Sequence, residues 1–407
     1  MNERAELAAA RNYALVTATY WGYTLTDGAL RMLVLLHYFA LGYTPFALAS
    51  LFLLYEAAGI GANLCGGWLA TRFGITRMLT VGLATQIVGL LMLSMMNPAW
   101  SVWVSLIWVV GAQGICGVAK DLTKTASKSA IKLVASERPG QLFRWVAWFT
   151  GSKNAMKGLG FFLGGLLLER LGFRGALWGM AGALGCLLVG VVCCLPPLLG
   201  RAQASRSIKE FFSKRPAINL LAAARLMLFG ARDVWFVVGL PVFLAASGWT
   251  FPMVGAFLAL WTIGYGLVQA VAPRFLRPSA DGLSREVPAA RRWSLLLALV
   301  PALLASTLLA DFARPDLVVT VGLVVFGFAF AVNSSVHSYL VLAYAGSAKA
   351  AEDVGFYYAA NAAGRFVGIL LSGLLYGWGG LLACLVGSAV LLAACWLVSL
   401  TFPMTRA

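Results

Sequence analysis

Charged side chains are scarce in this chain: they make up 11% of its 407 residues, against 61% that are hydrophobic. That scarcity excludes a soluble globular domain, because no soluble core can hide so much apolar surface. Signatures of nucleotide and hydrolytic chemistry are missing too. No GxxxxGK[ST] loop, GxSxG elbow or HExxH pair occurs, so nothing points to ATP hydrolysis or to a hydrolytic enzyme. The seven cysteines (Cys65, Cys116, Cys186, Cys193, Cys194, Cys384 and Cys395) all fall in apolar stretches without metal-ligand spacing. Even the adjacent Cys193 and Cys194 point about 100° apart on a helix, so neither a metal nor a cofactor is expected. Residues Met1 to Arg11 lack the short apolar core and small-residue cleavage site of a signal peptide.

What is present is long apolar runs. Mean hydropathy is +0.84, and twelve spans can be drawn: about 12–40, 44–71, 78–96, 99–120, 141–169, 174–196, 218–246, 250–272, 293–310, 316–343, 351–377 and 380–403. About 20 apolar residues cross a bilayer, so an all-α, polytopic membrane protein is expected, with some spans tilted. The net charge of +16 lies mainly in alternate loops: Arg72 and Arg77, Lys124 to Arg144, Arg201 to Arg215, and Arg274 to Arg292. That is membrane orientation rather than a nucleic-acid face, and it predicts both termini in the cytoplasm and residence in the inner membrane. The polar segment PLLGRAQASRSIKEFFSKRP splits the spans six and six. The expected domains are thus a six-helix bundle over 1–196, a cytoplasmic linker over 197–217, and a second six-helix bundle over 218–407.

The halves repeat. Gly42-Tyr43-Thr44 matches Gly248-Trp249-Thr250 at a spacing of 206 residues, which also pairs Asp27 with Asp233 and Tyr55 with Trp261. Gly164–Leu167 matches Ser372–Leu375 at a spacing of 208, which carries Lys157 onto Arg365 and Lys153 onto Asn361. Parallel duplication with polar sites at matching midplane positions is how many secondary transporters are built.

Within the spans lie charges that lipid does not tolerate. Arg31, Lys153, Lys157, Arg232 and Arg365 each fall near mid-span, where a charge costs roughly 2.5–3.5 kcal/mol even on the lenient insertion scale. Arg225 lies two turns nearer the cytoplasm. Against these six cations stand Asp27, Glu56 and Asp233, an apparent excess of three positive charges that suits a cavity for an anion. Asp27 and Arg31, four apart, can pair on one helix face. Arg232 and Asp233 are neighbours with different faces, so at least one should find a partner elsewhere. Lys153 and Lys157 place like charges one turn apart, which makes sense around an anion or a carboxylate from another helix. Glu56 has no cation within a turn; it is either a proton carrier or the partner of a cation on another helix. Lys120, Lys124, Lys128 and Lys132 form a basic stripe, either membrane anchors or an anion-gathering entrance. His37 reads as structural, whereas His337, after Asn333-Ser334-Ser335, is placed to line the cavity. Gly158-Leu159-Gly160 with Gly164-Gly165 lacks a preceding strand and reads as close helix packing rather than a dinucleotide loop.

Twelve spans, a central linker and duplicated halves resemble the major facilitator superfamily over the whole chain. Gly67-Trp68-Leu69-Ala70-Thr71-Arg72-Phe73-Gly74 resembles its gating loop, with Thr71 replacing the usual aspartate and Ile75 a basic residue. The strings TDGALRMLVLLHY, LFLLYE, AKDLTKTASKSAIK, GSKNAMKG, LGFRGALW and ARLMLFGARDVWFVVGLPVFL together resemble the ArsJ-type organoarsenical efflux permeases. This resemblance implies export of 1-arseno-3-phosphoglycerate, the product formed when glyceraldehyde-3-phosphate dehydrogenase uses arsenate in place of phosphate. The mid-span charges and the repeat make Arg31, Lys153, Lys157, Arg225, Arg232, Asn361 and Arg365 the expected substrate contacts of a monomeric transporter, and three intramembrane carboxylates without a nucleotide-binding motif point to proton antiport. Asp27, Glu56 and Asp233 are then the proton-coupling candidates, and Lys120, Lys124 and Lys128 the entrance. An exchanger of another sugar phosphate or organic anion would use the same cations. A membrane enzyme lacks a catalytic constellation here, and a channel would not need the duplicated design.

Overall fold

The computed structural model describes residues 3–97, 99–130, 141–197, 199, 216–276, 279, 283–310, 314–344 and 350–404, with side chains undescribed at 3–10, 62–71, 128–129, 141–150, 273–276, 342 and 350–355. The Lys128 side chain, Lys132, the side chains of the gating-like loop up to Thr71, and residues 200–215 of the expected linker lie outside this description. The described elements are helices: α1 Glu3–Ala40, α2 Pro45–Phe73, α3 Ile75–Ser94, α4 Val102–Ala130, α5 Gln141–Cys194, α6 Pro216–Phe236, α7 Gly239–Ala246, α8 Phe251–Leu276, α9 Glu286–Leu309, α10 Pro315–Tyr344 and α11 Ala350–Leu400. Among the described residues, eight helical segments are long and apolar enough to cross a membrane. Large apolar side chains such as Leu260, Leu303, Val321 and Trp378 face outward, as suits a protein surrounded by lipid.

Two helices are far longer than a bilayer is thick. At 1.5 Å per residue, the 54 residues of α5 would span about 80 Å if straight, against a hydrocarbon core of about 30 Å. The helical path of α5 breaks at Gly172 (φ 67°, ψ 177°), and that of α11 breaks at Gly379 and Gly380 (φ 60°, ψ −152° at the latter). Positive φ costs glycine nothing, because it has no Cβ to meet the preceding carbonyl. Both breaks fall at the gaps expected between consecutive spans. A third interruption, at Val237–Val238, divides the expected span 218–246 into α6 and α7. The Gly239 amide that this break frees donates to Ser372 Oγ at 3.1 Å, so the discontinuity leaves no orphan donor there.

The duplication seen in the sequence is written into the backbone. Gly42 (φ 80°) and Gly248 (φ 88°) end α1 and α7. Each end is closed in the same way: Gly42 N donates to Phe39 O and Tyr43 N to Tyr38 O, while Gly248 N donates to Ala245 O and Trp249 N to Leu244 O. This is the left-handed glycine cap, in which the two amides beyond the helix recover its last carbonyls. Gly172 and Gly380, the two helix-breaking positions, repeat at the 208-residue spacing that relates Lys157 to Arg365.

The chain divides into two compact units. Met1–His37, Gly61–Ile208 and Phe251–Thr262 form the first; Tyr38–Ile60, Lys209–Thr250 and Ile263–Ala407 form the second. In the first, α1 meets α5 backbone to backbone: a Cβ on Gly28 would lie 2.6 Å from Lys157 O, and one on Gly160 would lie 3.0 Å from Ala29 N. In the second, α6 meets α11 likewise, where a Cβ on Gly364 would lie 2.9 Å from Leu226 Cα and one on Gly368 2.5 Å from Gly230 O. Small residues let membrane helices approach so closely, and Gly160 serves α5 as Gly368 serves α11. Helix ends are held by arginines: Arg174 Nη2 donates to Met96 O at 2.8 Å, and Arg291 donates to the carbonyls of Ser399, Leu400 and Phe402 at 3.0–3.2 Å.

Alanine at Gly160 or Gly364 should therefore lower the melting temperature of the purified protein, since overpacking costs about 1–3 kcal/mol. Alanine at Gly111 or Gly264, where an added Cβ meets nothing within 4 Å, should be neutral or stabilise by up to about 1 kcal/mol through helix propensity. Thermal unfolding followed by size-exclusion chromatography tests the contrast.

Candidate functional site

The second unit holds a ladder of alternating charge. Arg365 on α11 donates from Nη2 to Glu56 Oε1 at 2.6 Å and from Nε to Asp233 Oδ2 at 3.3 Å. Asp233 on α6 also accepts from Arg232 Nε through Oδ1 at 2.6 Å. The carboxylates are sealed, with side chains 1% exposed, while Arg232 and Arg365 are 14% and 19% exposed. Of the two readings of Glu56, the structure gives the partner of a cation on another helix. Asp233 likewise finds the outside partner that its position called for. Arg232 pairs with its neighbour as well: although their Cβ atoms diverge by about 100°, its long side chain brings the guanidinium to Asp233.

Aromatic rings line the cationic side. The Arg232 guanidinium carbon lies 4.9, 5.5 and 5.8 Å from the ring centres of Phe229, Phe330 and Phe236. Arg225, two turns earlier on the same helix, lies 4.1 Å from the Phe229 centre and 4.9 Å from that of Tyr357. The two guanidinium carbons thus lie within about 9 Å of each other, the sum of their distances to the shared Phe229 ring. Arg225 is 3% exposed and donates from Nη1 to Ser334 O at 3.1 Å and Ser334 Oγ at 3.0 Å. Among the described residues, no carboxylate pairs with it. Asn361, one turn before Arg365, has a buried Oδ1 with no hydrogen-bond partner among the described residues. Within this unit the ladder and Arg225 together present three guanidiniums to two carboxylates.

In the first unit Asp27 and Arg31 on α1 are 8% and 9% exposed, beside the α5 segment that carries Lys153 and Lys157, both half-buried. The glycine contact sets this: Gly28, next to Asp27, sits against the backbone of Lys157 itself. The Lys157 ammonium lies 5.6 Å from the Phe161 ring centre, Trp21 Nε1 donates to Ser152 Oγ at 3.0 Å, and Tyr23 Oη donates to Gln86 Oε1 at 3.1 Å. The basic stripe on α4 has a partner of its own. Asp121, 2% exposed, lies 3.4 Å from Lys124 Nζ and 3.9 Å from Lys120 Nζ.

The sequence reading missed Asp121 as a buried acid, because it sits among polar residues near an expected span end. Glu286 and Asp316 are also buried, at 5% and 6%. Glu286 accepts from Ser279 N at 2.8 Å and Oγ at 2.5 Å, and Asp316 accepts from Trp249 Nε1 at 3.0 Å and from Arg314 at 3.1 Å. Among the described residues six carboxylates are thus buried rather than the three counted in the sequence, but the added three lie near span ends with partners of their own, so the count of six cations against three acids within the spans is unchanged. No group of three His, Cys, Asp or Glu side chains among the described residues could hold a metal.

No protein-family model matches the chain, and no curated protein matches it in sequence. Solved structures match it in shape. A POT family transporter in complex with a thioalcohol-conjugated peptide aligns at TM-score 0.74 and 14% identity, over 96% of each chain. Peptide transporter POT in complex with sulfate aligns at 0.71 and 14%, over 96% of this chain and 93% of that one. A D-xylose-proton symporter aligns at 0.69 and 12%, over 99% of each. At such identities the likeness is one of fold: the chain shares the all-helical, multi-pass fold of these structures.

Removing one member of a buried charge pair costs about 3–5 kcal/mol, because the other is left uncompensated. Arg365→Gln should therefore lower the melting temperature markedly, and adding Glu56→Gln should restore part of the loss. A double-mutant cycle on the purified protein measures the coupling, and additive effects would show that the ladder is not a coupled unit.

Proposed function

We propose that this chain is a secondary active transporter that exports a small organic oxyanion from the cytoplasm by alternating access. The observation that carries the reading is Arg225, a guanidinium inside a membrane span with no carboxylate paired to it among the described residues. An unpaired buried charge costs several kcal/mol, and an anionic substrate would relieve that cost each time it binds. In the second unit the substrate contacts are Arg225, Arg232, Arg365 and Asn361; in the first they are Arg31, Lys153 and Lys157. Guanidinium suits this task because its planar fork meets two oxygens of a phosphate or arsenate at once. The twelve-span topology is part of the same proposal, counting α6 with α7 as one span and α5 and α11 as two each. So are cytoplasmic termini, the inner membrane and a monomeric, non-enzymatic protein.

The ladder supplies a route to proton coupling. An oxyanion that takes over a hydrogen bond from Arg232 or Arg365 loosens its hold on Asp233 or Glu56. A buried carboxylate that loses its cation favours its neutral form, so it takes up a proton. Substrate and proton would then load the ladder together, so a proton exchanged against the outgoing substrate has to be carried by another carboxylate. Asp27 is the corresponding candidate in the first unit. Lys120, Lys124 and Lys128 would gather substrate at the cytoplasmic entrance, although Asp121 reduces the field of the first two.

The resemblance of the sequence strings to ArsJ-type permeases names the substrate as 1-arseno-3-phosphoglycerate and the outcome as arsenate resistance. Its supply would come from glyceraldehyde-3-phosphate dehydrogenase acting on arsenate. Everted vesicles given arsenate, glyceraldehyde 3-phosphate, nicotinamide cofactor and the dehydrogenase should accumulate arsenic, and dissipating the pH gradient should abolish the accumulation. Accumulation that survives loss of the gradient would point to another driving ion, and none at all would refute the substrate. A charge-assisted hydrogen bond is worth about 1.5–3 kcal/mol, or roughly ten- to a hundredfold in affinity. Neutral replacements of Arg31, Lys153, Lys157 and Arg232 should therefore abolish resistance at normal expression. Arg31→Lys should fail as well, while Lys124→Ala should lose less.

A further inference from the structure

Several buried polar atoms near Arg225 are left unsatisfied. Among the described residues Arg225 Nε, both ring nitrogens of His337 and Asn333 Oδ1 have no hydrogen-bond partner, although His337 and Asn333 are 0% exposed and Arg225 is 3% exposed. They belong to one place. Arg225 is bonded to Ser334, which stands between Asn333 and His337 on α10, and the latter two lie one turn apart on the same helix face. An unmade bond on a buried group is costly, so several together call for a missing partner.

The groups around His337 say what that partner is. From α6 comes Arg225; from α9 comes Arg291, bonded to the carbonyl of Phe402, whose ring lies 5.9 Å from the imidazole. From α11 come Tyr357, stacked on Arg225, and Cys395, whose Sγ approaches Ser294 Oγ at 4.0 Å; Ser294 Oγ in turn accepts from Asn333 Nδ2 at 3.1 Å. Tyr344 bonds to Pro403 O at 2.7 Å. The charged members of this set are both cations, and Arg291 is bonded only to backbone carbonyls. Water could fill the hydrogen bonds, but it would leave the Arg225 charge uncompensated.

Resting on the reading that this chain handles anions, we infer that Arg225, Ser334 and His337 form an oxyanion subsite within the second unit, at which His337 takes up a proton from solvent as the anion binds. Arg225 Nε, the Ser334 hydroxyl and one imidazole N–H are its donors, and Asn333 Oδ1 accepts from the other N–H of the imidazolium. The sign follows from Coulomb's law. An imidazolium attracts a bound anion where a neutral imidazole does not, so proton uptake by His337 on binding makes binding tighter at lower pH.

Sulfate is the probe, because it does not titrate between pH 6 and 8. Calorimetry of sulfate binding to the purified full chain, in buffers of different ionisation enthalpy, reads both affinity and proton uptake. The wild type should bind more tightly at pH 6 than at pH 8. His337→Gln should still bind but take up close to one proton fewer per sulfate, with a flatter pH profile. Arg225→Gln should bind at least tenfold more weakly, and Arg225→Lys, which keeps the charge and guards against misfolding, should fall in between. Equal proton uptake by wild type and His337→Gln would overturn the inference, as would wild-type affinity in folded Arg225→Gln. An absence of sulfate binding to the wild type would also overturn it and assign the pocket to water. Failed arsenic transport in vesicles, with His337-dependent sulfate binding intact, would sink the transport reading alone.

Discussion

The second unit depends on one side chain, the Arg365 guanidinium that joins Glu56 to Asp233. Two carboxylates at about 1% exposure are tolerable in a lipid-embedded bundle only if a cation reaches both, and a planar fork with five donors does so from one position. The same grip keeps Arg232 folded back onto Asp233 and against the aromatic rings. Arg225 then stands apart with a hydroxyl, a carbonyl and two ring faces, but no carboxylate among the described residues. The charge pattern is thus a neutralised ladder beside one uncompensated cation.

Glycine places these charges. In each unit a pair of helices touches backbone to backbone, and the cation sits three residues before the contacting glycine: Lys157 before Gly160, and Arg365 before Gly368. A side chain so placed emerges one turn from the crossing, where it lies against the partner helix. Asp27 precedes Gly28 on the partner helix of the first unit, and Asp233 meets Gly368 on that of the second. The positive-φ glycines at 42 and 248, and at 172 and 380, repeat the same architecture at the helix ends. Duplication has therefore conserved the backbone devices, while the charges borne on them have diverged from lysine to arginine.

Much of this was legible in the sequence because it follows from apolar length and spacing. The breaks near Gly172 and Gly380 fall where the expected spans part. The repeat at 206 and 208 residues anticipated matching caps, and the glycines of α5 were read as helix contacts. Pairing across helices was less legible. The partner of Glu56 is Arg365, 309 residues away, a distance that no local pattern spans. The Arg232–Asp233 pair was not legible because helix geometry constrains Cβ directions and says little about the tip of a long side chain. Asp121, Glu286 and Asp316 were overlooked because they lie near span ends, where burial depends on how neighbouring chain packs. That helices α6 and α7 are separate could not be read from an apolar run with no gap.

The central claim is that the buried cations are ligands for a small oxyanion rather than structural partners of carboxylates alone. Arsenic makes the claim directly visible, since its anomalous scattering locates it without reference to the protein chain. A crystal of the protein grown with the enzymatically formed arsenical, or with arsenate, should show an arsenic peak within hydrogen-bonding reach of Arg225, Arg232 or Arg365, or of Arg31, Lys153 or Lys157. Arsenic found only on exposed surface lysines, with the buried cations still engaged as they are here, would contradict the account.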